Sequence, residues 1–408
     1  MSFTLGVVLF AVGIGVSIAL HEAGHMWTAK AFGMKVRRYY IGFGPKIFSY
    51  RRGETEYGMK WIPAGGFCDI AGMTALDPVT EDEAPHAFFT KKTWQRVVVL
   101  SAGSIVHFII GILLIFILAL TTGLPDISEG AVAGSTACVA KSQDPVTLKL
   151  SPCAPGDPSP AAQAGIRAND RILSVGSVPT PTWDDALMAI RRQSGPTPFR
   201  IQRDGRDLTI TVNITPVQRV ADISAQPGTP HPTQTVGAIG LGLGTPPPMR
   251  YNVITAIPAT TAFTGFMFEA TFHGLAMFPE KVPAVLKAIG GGERDINSPI
   301  SVVGASRIGG DAVEHGLWSM FGMLLAALNF FVGVFNLVPL LPLDGGHILI
   351  NLYEKVRDTV RRWMGRSKMP PVDYTRLLPV TYAFILVFGA ISLLTITADI
   401  VNPIRLTQ

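Results

Sequence analysis

Residues 3–25 read FTLGVVLFAVGIGVSIALHEAGH, an apolar run that ends in two histidines and a glutamate. The part up to Leu20 contains no Asp, Glu, Lys or Arg, and about twenty such residues in a helix cover the roughly 30 Å of bilayer hydrocarbon. An ionisable side chain within a span costs about 3 kcal/mol, so its presence there indicates function. The stretch therefore predicts a membrane helix with a polar site at its end.

The composition places the whole chain in the membrane class. Hydrophobic residues make up 48% of the 408, charged residues make up 15%, and the mean hydropathy is +0.35, which is more apolar than an ordinary soluble protein. No basic block with interleaved aromatic residues is present, so we expect no nucleic-acid partner. Because no Lys or Arg precedes the first run and no small-residue cleavage site follows it, we expect it to be retained rather than removed as a signal peptide.

Charge-free apolar runs predict a polytopic α-helical membrane protein with four transmembrane helices. A further candidate, Tyr251–Phe278, differs because it carries Glu269 and His273 and is diluted by Thr, Gly and Pro. We interpret it as a bent amphipathic segment at the membrane surface, with a full crossing as the alternative. The four predicted spans are Phe3–Leu20, Val97–Leu120, Leu317–Leu343 and Leu377–Thr397.

Basic residues near the spans predict the orientation. Residues 30–60 hold eight Lys or Arg against two acids, and residues 354–376 hold seven against three. Positively charged loops face the cytoplasm, so both segments are expected there. The region 123–316 and both termini are then extracytoplasmic, and the end of the first span points to the cytoplasmic side.

The outward region contains a pattern typical of a small α+β module. From Ser159 the sequence predicts a strand, a helix and two strands joined at Asp204-Gly205, a good type I′ turn. This order resembles a bacterial PDZ domain, in which a peptide adds as a strand beside a helix. The alternative is a small mixed domain without a ligand. Between Cys138 and Cys153, a disulfide is favoured over two free thiols because the exterior is oxidising.

Composition shifts divide the chain further. Residues 218–250 are rich in Pro, Thr, Gln and Gly with little periodicity, which is typical of a linker. The predicted organisation is 1–122 for the first two transmembrane helices with a cytoplasmic-side β-hairpin, 123–217 for the PDZ-like domain, 218–250 for the linker, 251–316 for the membrane-surface segment and 317–408 for the last two transmembrane helices.

The polar cluster at the end of the first run has the spacing of a metal site. His21 and His25 are four residues apart, so on a helix they share one face and both imidazoles can reach a single ion. Glu22 projects to one side, where it can hold a water molecule. This is the HExxH pattern of zinc peptidases; the alternative is a pair of interfacial histidines that face lipid headgroups.

A catalytic zinc needs a third protein ligand, and Asp344 in NLVPLLPLDGGHI (336–348) is the candidate. With four spans, the first and third run in the same direction, so their ends meet on the cytoplasmic side. A full crossing by Tyr251–Phe278 would place Asp344 on the opposite face. Asn336 either donates a hydrogen bond to a substrate carbonyl or satisfies a helix broken by prolines. His347 is expected to lie near the site without being a ligand.

The predicted β-hairpin ends near Gly65 and Gly66, within TEYGMKWIPAGGF (55–67). A transmembrane substrate must unwind before its carbonyls become accessible, and a sheet edge can pair with the unwound segment. We therefore consider both glycines substrate-positioning candidates; a merely structural hairpin is the alternative.

Together these motifs resemble the site-2 protease family of intramembrane zinc metalloproteases, in particular its bacterial members. HEAGH and NLVPLLPLDGG lie on either side of the PDZ-like module, as in that family. Further matching segments are GFGP at 42–45, TEYGMKWIPAGGF at 55–67 and NSPISVVGASRIG at 297–309.

The resemblance implies a function and a ligand set. One Zn²⁺ would be held by His21, His25 and Asp344, with Glu22 as catalytic acid/base and Asn336 as a substrate-positioning residue. Its expected substrates are single-span proteins of the bacterial cell membrane, such as anti-sigma factors, together with signal-peptide remnants. Membrane lipid would surround the transmembrane helices, and a peptide is a possible ligand of the PDZ-like domain.

One departure and two rival functions accompany this resemblance. The family's GPxxNF-like pattern reads GSIVHF here, with Ser104 and His107 in place of Pro and Asn; His107 either packs as a hydrogen-bonded residue or lies near the substrate. A catalytically silent membrane scaffold that presents a PDZ domain is the alternative function. A zinc transporter is disfavoured because the polar cluster is confined to one depth.

Overall fold

The computed structural model describes residues 2–404 apart from 75, 128, 129, 223–227, 245, 247, 293 and 295–297. The chain divides into two compact units. One consists of Met1–Gly123 together with Arg250–Gln408, and the other of Leu124–Met249. Long apolar helices dominate the first unit, whereas the second unit consists mainly of strands.

The described residues form nine α-helices, several of which begin at a capping side chain. Asn252 accepts hydrogen bonds from the backbone of Ile254 and Thr255, and Ser301 caps the next helix in the same way. The helices are α1 (Phe3–Ala31), α2 (Thr93–Thr121), α3 (Pro160–Gln163), α4 (Trp183–Arg191), α5 (Val253–Ile289), α6 (Val302–Glu314), α7 (Trp318–Asn336), α8 (Asp344–Trp363) and α9 (Leu378–Val401).

The described strands form a hairpin in the first unit and a larger sheet in the second. The hairpin consists of β1 (Val36–Arg52) and β2 (Thr55–Ile70). The larger sheet contains β3 (Ala131–Thr136), β4 (Arg171–Val175), β5 (Val178–Pro179), β6 (Gly195–Arg203), β7 (Arg206–Val220), β8 (Thr233–Ala238) and β9 (Leu241–Leu243).

Five helical segments of the described chain are long and apolar enough to cross a membrane: α1, α2, α5, α7 and Tyr374–Val401. Four of them overlap the charge-free runs that predicted spans. The additional one is α5, which is 37 residues long and contains Pro258, Pro279 and Pro283. By length and composition the structure therefore has one more candidate span than the four predicted.

The third predicted run is not a single helix. α7 ends at Asn336, and Asp344 is the first residue of α8. Pro339 and Pro342 lie between the two helices, and proline cannot continue a helix because it lacks the N–H donor and its ring clashes with the preceding turn. Asp344 thus lies at a helix N-terminus just after the chain leaves α7.

Small residues allow the helices of the first unit to approach closely. A methyl group added at Gly6 of α1 would lie 2.8 Å from Cα of Gly310 in α6, and one added at Gly309 would lie 2.7 Å from the Phe10 ring. α2 and α7 also meet at glycine, because Gly333 packs against the Phe108 ring. Such contacts stabilise helix pairs in lipid, where the hydrophobic effect between helices is absent.

The predicted hairpin is present and packs against α1. Each of the residues 38–41 has one partner in 56–59 and another in 66–69, so the start of β1 lies between two parts of β2. Tyr39 donates a hydrogen bond from its hydroxyl to the carbonyl of Ala19 in α1, at 2.7 Å. The start of β1 and the end of β2 are therefore fixed beside the helix that carries HEAGH.

The second unit is built around a sheet in the order β8-β7-β6-β4-β3-β9. Its two outer strands, β8 and β9, are separated by only Ile239 and Gly240. β8 and β9 lie at opposite edges of the sheet although they follow each other closely in sequence. The sheet therefore curves, and it surrounds a core of Phe199, Ile201 and other buried side chains. α4 packs on this core through Ala186, Ala189 and Ile190.

The prediction of a linker at 218–250 differs from the structure. β7 extends to Val220, and β8 and β9 fall within the same segment. Thr, Gln and Gly gave this segment little apolar periodicity, yet β8 pairs with β7 and β9 pairs with β3, which supplies the backbone hydrogen bonds. In the same unit a disulfide joins Cys138 to Cys153, whereas Cys68 in the hairpin is free.

Candidate active site

The structure brings the three predicted metal ligands together. His21 and His25 lie on one face of α1, and Asp344 reaches them from the start of α8. His21 Nε2 and His25 Nε2 are 3.2 Å apart. Asp344 Oδ2 is 3.5 Å from His21 Nε2 and 3.4 Å from His25 Nε2.

These distances fit a zinc ion. With bonds of about 2.0–2.1 Å, two ligands of a tetrahedral zinc are roughly 3.3 Å apart, which is close to all three observed separations. Two imidazole nitrogens and one carboxylate oxygen are also a common donor set for a catalytic zinc, since three protein ligands leave one position open. The side chains are only 9–18% exposed, so the site is largely sequestered.

Neighbouring backbone holds the ligands in place. His25 Nδ1 lies 2.7 Å from the carbonyl of Val99 in α2, which fixes the ring with Nε2 towards the cluster. Burial opposes ionisation of Asp344, but hydrogen bonds from His21 and His25 outweigh it and hold the pKa of that carboxyl well below its usual range. An ionised carboxylate is the form that binds a cation.

Glu22 lies between the metal cluster and the hairpin. A methyl group added at Gly66 in β2 would lie 2.9 Å from Glu22 Cγ, so glycine is needed for this close approach. Gly65 beside it has a φ of 137°, a conformation that side-chain-bearing residues rarely adopt. The structure thus brings Gly66 to the candidate acid/base, whereas a methyl group at Gly65 would meet the Phe43 ring.

Comparison with known proteins gives a consistent family. Residues 9–367 match the model of Peptidase family M50. The chain belongs to this family. Over their full lengths, it is 48% identical to the zinc metalloprotease Rip1 of Mycolicibacterium smegmatis and to that of Mycobacterium tuberculosis. It is 27% identical to the metalloprotease MmpA of Caulobacter vibrioides, with 87% of this chain and 88% of the relative covered.

The resemblance to site-2 proteases is therefore confirmed, and so is the prediction of a zinc-dependent metalloprotease. The family and the apolar helices also confirm a membrane protein with several candidate spans. In this M50 peptidase the HEAGH and LDGG motifs lie next to each other within the first unit.

Asn336 and His347 lie outside the ligand cluster of His21, His25 and Asp344 in this M50 peptidase. Asn336 is the last residue of α7 and is half-buried. His347 Nδ1 lies 3.3 Å from the Tyr374 hydroxyl, and the two rings stack. Burial lowers the pKa of His347, which keeps the imidazole neutral beside the site.

The sequence analysis did not identify Gly103 and Asn329, which both adjoin the site. Gly103 lets α2 approach the imidazoles, because a methyl group there would lie 2.5 Å from His21 Cε1 and 2.5 Å from His25 Nε2. Asn329, in the middle of α7, is 1% exposed and hydrogen-bonds His107 of α2 at 2.8 Å. An amide within an apolar span was the available signal for Asn329.

Proposed function

We propose that this zinc metalloprotease cleaves peptide bonds within or next to the transmembrane segments of single-span proteins, as the second cut in regulated intramembrane proteolysis. The observation that supports it best is the position of HEAGH. Its histidines lie near the end of an apolar helix and meet Asp344 at the spacing of a zinc site. Anti-sigma factors and signal-peptide remnants are the substrate classes that the family resemblance suggests.

In this proposal His21, His25 and Asp344 hold the zinc, which when bound acidifies water and polarises the scissile carbonyl. Glu22 takes the proton from the attacking water and then delivers it to the leaving nitrogen. Asn336 donates a hydrogen bond from its amide N–H to the substrate carbonyl as negative charge develops on the oxygen. Each of these roles belongs to a side chain on α1, α7 or the start of α8.

The hairpin positions the substrate in this proposal. A helical substrate must unwind, because its carbonyls are engaged in hydrogen bonds four residues apart. The end of β2 contacts Glu22 at Gly66, and residues 66–69 pair on one side with β1. The unwound substrate would add as a strand at the other side of this segment, which places its backbone beside the acid/base.

The contacts of α5 agree with four full crossings. The backbone N–H of Tyr251 donates to the carbonyl of Ala119 at the end of α2, and Asn402 at the end of α9 donates to the carbonyl of Ala288. In the four-span topology the ends of α2 and α9 are both extracytoplasmic. Both ends of α5 then lie on the same side of the membrane, as expected for a segment that enters and returns.

The orientation follows from the same topology. The basic segments 30–60 and 354–376 face the cytoplasm, the active site lies towards that side, and both termini are extracytoplasmic. Residues 124–249 then form an extracytoplasmic domain, which we propose to be PDZ-like. A cavity of about 220 Å³ lies between α4 and the β8–β9 segment, lined by Ile190, Val236 and other apolar side chains; it is the candidate peptide groove.

Purified protein with the substitution Glu22→Gln tests the proposal. It is expected to retain zinc and lose cleavage of a labelled single-span substrate, because the ligands remain and the acid/base is gone. The matched variant His21→Ala is expected to lose both. Undiminished cleavage by the Glu22→Gln protein would refute the assigned chemistry, and zinc without cleavage in the unaltered chain would favour a silent scaffold.

A further inference from the structure

The two histidines of HEAGH differ in how their outer ring nitrogens are satisfied. When imidazole binds a metal through one nitrogen, the other carries a proton and donates it to an acceptor that fixes the ring. His25 follows this rule, because its Nδ1 lies 2.7 Å from the carbonyl of Val99. His21 Nδ1 is buried and has no hydrogen-bond partner among the described residues.

A second imidazole packs against the His21 ring. The ring centroids of His21 and His107 are 5.0 Å apart, with an angle of 44° between the ring planes. His107 is only 2% exposed. At this separation, rotation of the rings can bring a nitrogen of each to a hydrogen-bonding distance of about 2.9 Å.

The contacts of Asn329 determine which His107 nitrogen carries the proton. Asn329 Nδ2 donates to the carbonyl of Leu325 at 2.8 Å, so its Oδ1 is the atom that faces His107 Nδ1, also at 2.8 Å. An amide oxygen can only accept, and therefore His107 Nδ1 must donate. In the neutral ring this leaves a lone pair on Nε2.

We propose that His107 Nε2 accepts a hydrogen bond from His21 Nδ1–H and thereby orients His21 for metal binding. The chain of hydrogen bonds would run from the Leu325 carbonyl through Asn329 and His107 to His21. His107 is thus a positioning residue that acts through a ligand. The inference rests on the proposed function in one respect, namely that His21 is a zinc ligand.

Ser104 is the competing partner for His21. It is fully buried, and its hydroxyl has no hydrogen-bond partner among the described residues. It lies three residues before His107 and thus on the same side of α2. His107 is favoured because its ring contacts the His21 ring and its lone pair is fixed by Asn329, whereas a hydroxyl can rotate.

Zinc affinity of the purified full chain tests the inference, measured by competition with a chromophoric chelator. Loss of such a supporting partner typically weakens metal binding by about 10–100-fold. We expect this loss in His107→Leu, which removes the acceptor, and affinity close to that of the unaltered chain in His107→Asn, whose amide oxygen can accept. Ser104→Ala is expected to bind zinc normally.

Two further measurements separate positioning from a structural role. The absorption spectrum of bound Co²⁺ should change in His107→Leu and be restored in His107→Asn, because it reports ligand geometry. If His107 only stabilised the fold, His107→Leu would lower the metal-free unfolding temperature and leave the Co²⁺ spectrum of the folded protein unchanged. Equal zinc affinities in both variants would overturn the inference, as would a loss confined to Ser104→Ala.

The controls distinguish failure of this inference from failure of the proposed function. If His21→Ala and Asp344→Ala lose zinc while His107→Leu retains it, only the positioning role is wrong. If His21→Ala retains zinc with full affinity, the proposed ligand set is wrong and the role of His107 falls with it.

Discussion

A methyl group at Gly103 would meet both imidazoles of the metal site. It would lie 2.5 Å from His21 Cε1, 2.6 Å from His21 Nδ1 and 2.5 Å from His25 Nε2, whereas ordinary contacts are about 3.5–4.0 Å. His25 cannot simply rotate away, because its Nδ1 is bonded to the carbonyl of Val99. Gly103→Ala must therefore displace either the ligands or α2 by about 1 Å.

The expected loss can be estimated from the energetics of overpacking. An added methyl group in a tightly packed site typically costs about 1–3 kcal/mol. If the metal-bound geometry bears this cost, zinc affinity falls by roughly 5- to 150-fold, since each 1.4 kcal/mol is about tenfold. Proteolysis should fall at least as much at limiting zinc.

The assay is chelator competition on purified protein, with Gly15→Ala as the matched control. Gly15 lies in α1, and a methyl group added there meets nothing within 4 Å. This control should bind zinc as the unaltered chain does, while the metal-free thermal stability of both variants shows whether the fold is intact. Unchanged zinc affinity in Gly103→Ala would refute the close packing of α2 on the ligands.

Three further substitutions have distinct expected outcomes. Gly66→Ala should keep zinc bound but reduce kcat at least tenfold, because its methyl group would lie 2.9 Å from Glu22 Cγ; normal turnover with bound zinc would contradict this. Asp344→Asn should reduce zinc affinity, measured by chelator competition, by about two orders of magnitude, because an anionic ligand is lost. Arg203 overcomes the effect of burial and lowers the pKa of Asp170, so the second unit should lose stability as pH falls from about 4 through that lowered pKa. Hydrogen exchange should show this loss, and Asp170→Asn should be less stable at pH 7 and less pH-dependent.

The residues of the candidate metal site could be predicted from the sequence because their signals are local. HEAGH can be recognised from helical spacing alone. Asp344 can be recognised because it follows a predicted span that ends at the same membrane depth as the first span. The partners of these residues depend on how helices pack. His107 and Asn329 are 222 residues apart in sequence, and neither Gly103 nor Gly66 has a spacing that predicts its contact. Such neighbours become evident only when α2, α7 and the hairpin are placed around α1.

The errors have equally specific causes. Residues 233–243 read TQTVGAIGLGL, in which three glycines and little apolar alternation disfavour a strand, but pairing with β7 and β3 stabilises it. The third span was predicted to run to Leu343, whereas α7 ends at Asn336 and a separate helix, α8, begins at Asp344. Tertiary pairing decided the first case, whereas Pro339 and Pro342 decided the second, because proline cannot continue a helix.

Buried polar contacts in the first unit mainly determine how the helices are positioned along one another. His107 bonds Asn329 across α2 and α7, and Asp399 at the end of α9 pairs with Arg294 in the segment between α5 and α6, where the two side chains are 1% and 5% exposed. Interhelical hydrogen bonds in membranes contribute only about 0.6 kcal/mol each, which is too little to hold the bundle together. Their directionality nevertheless excludes shifted packings, because a shift would leave two buried polar groups unpaired. The separations of 3.2–3.5 Å among the ligand atoms therefore result from close packing at glycines, with the polar pairs selecting which packing occurs.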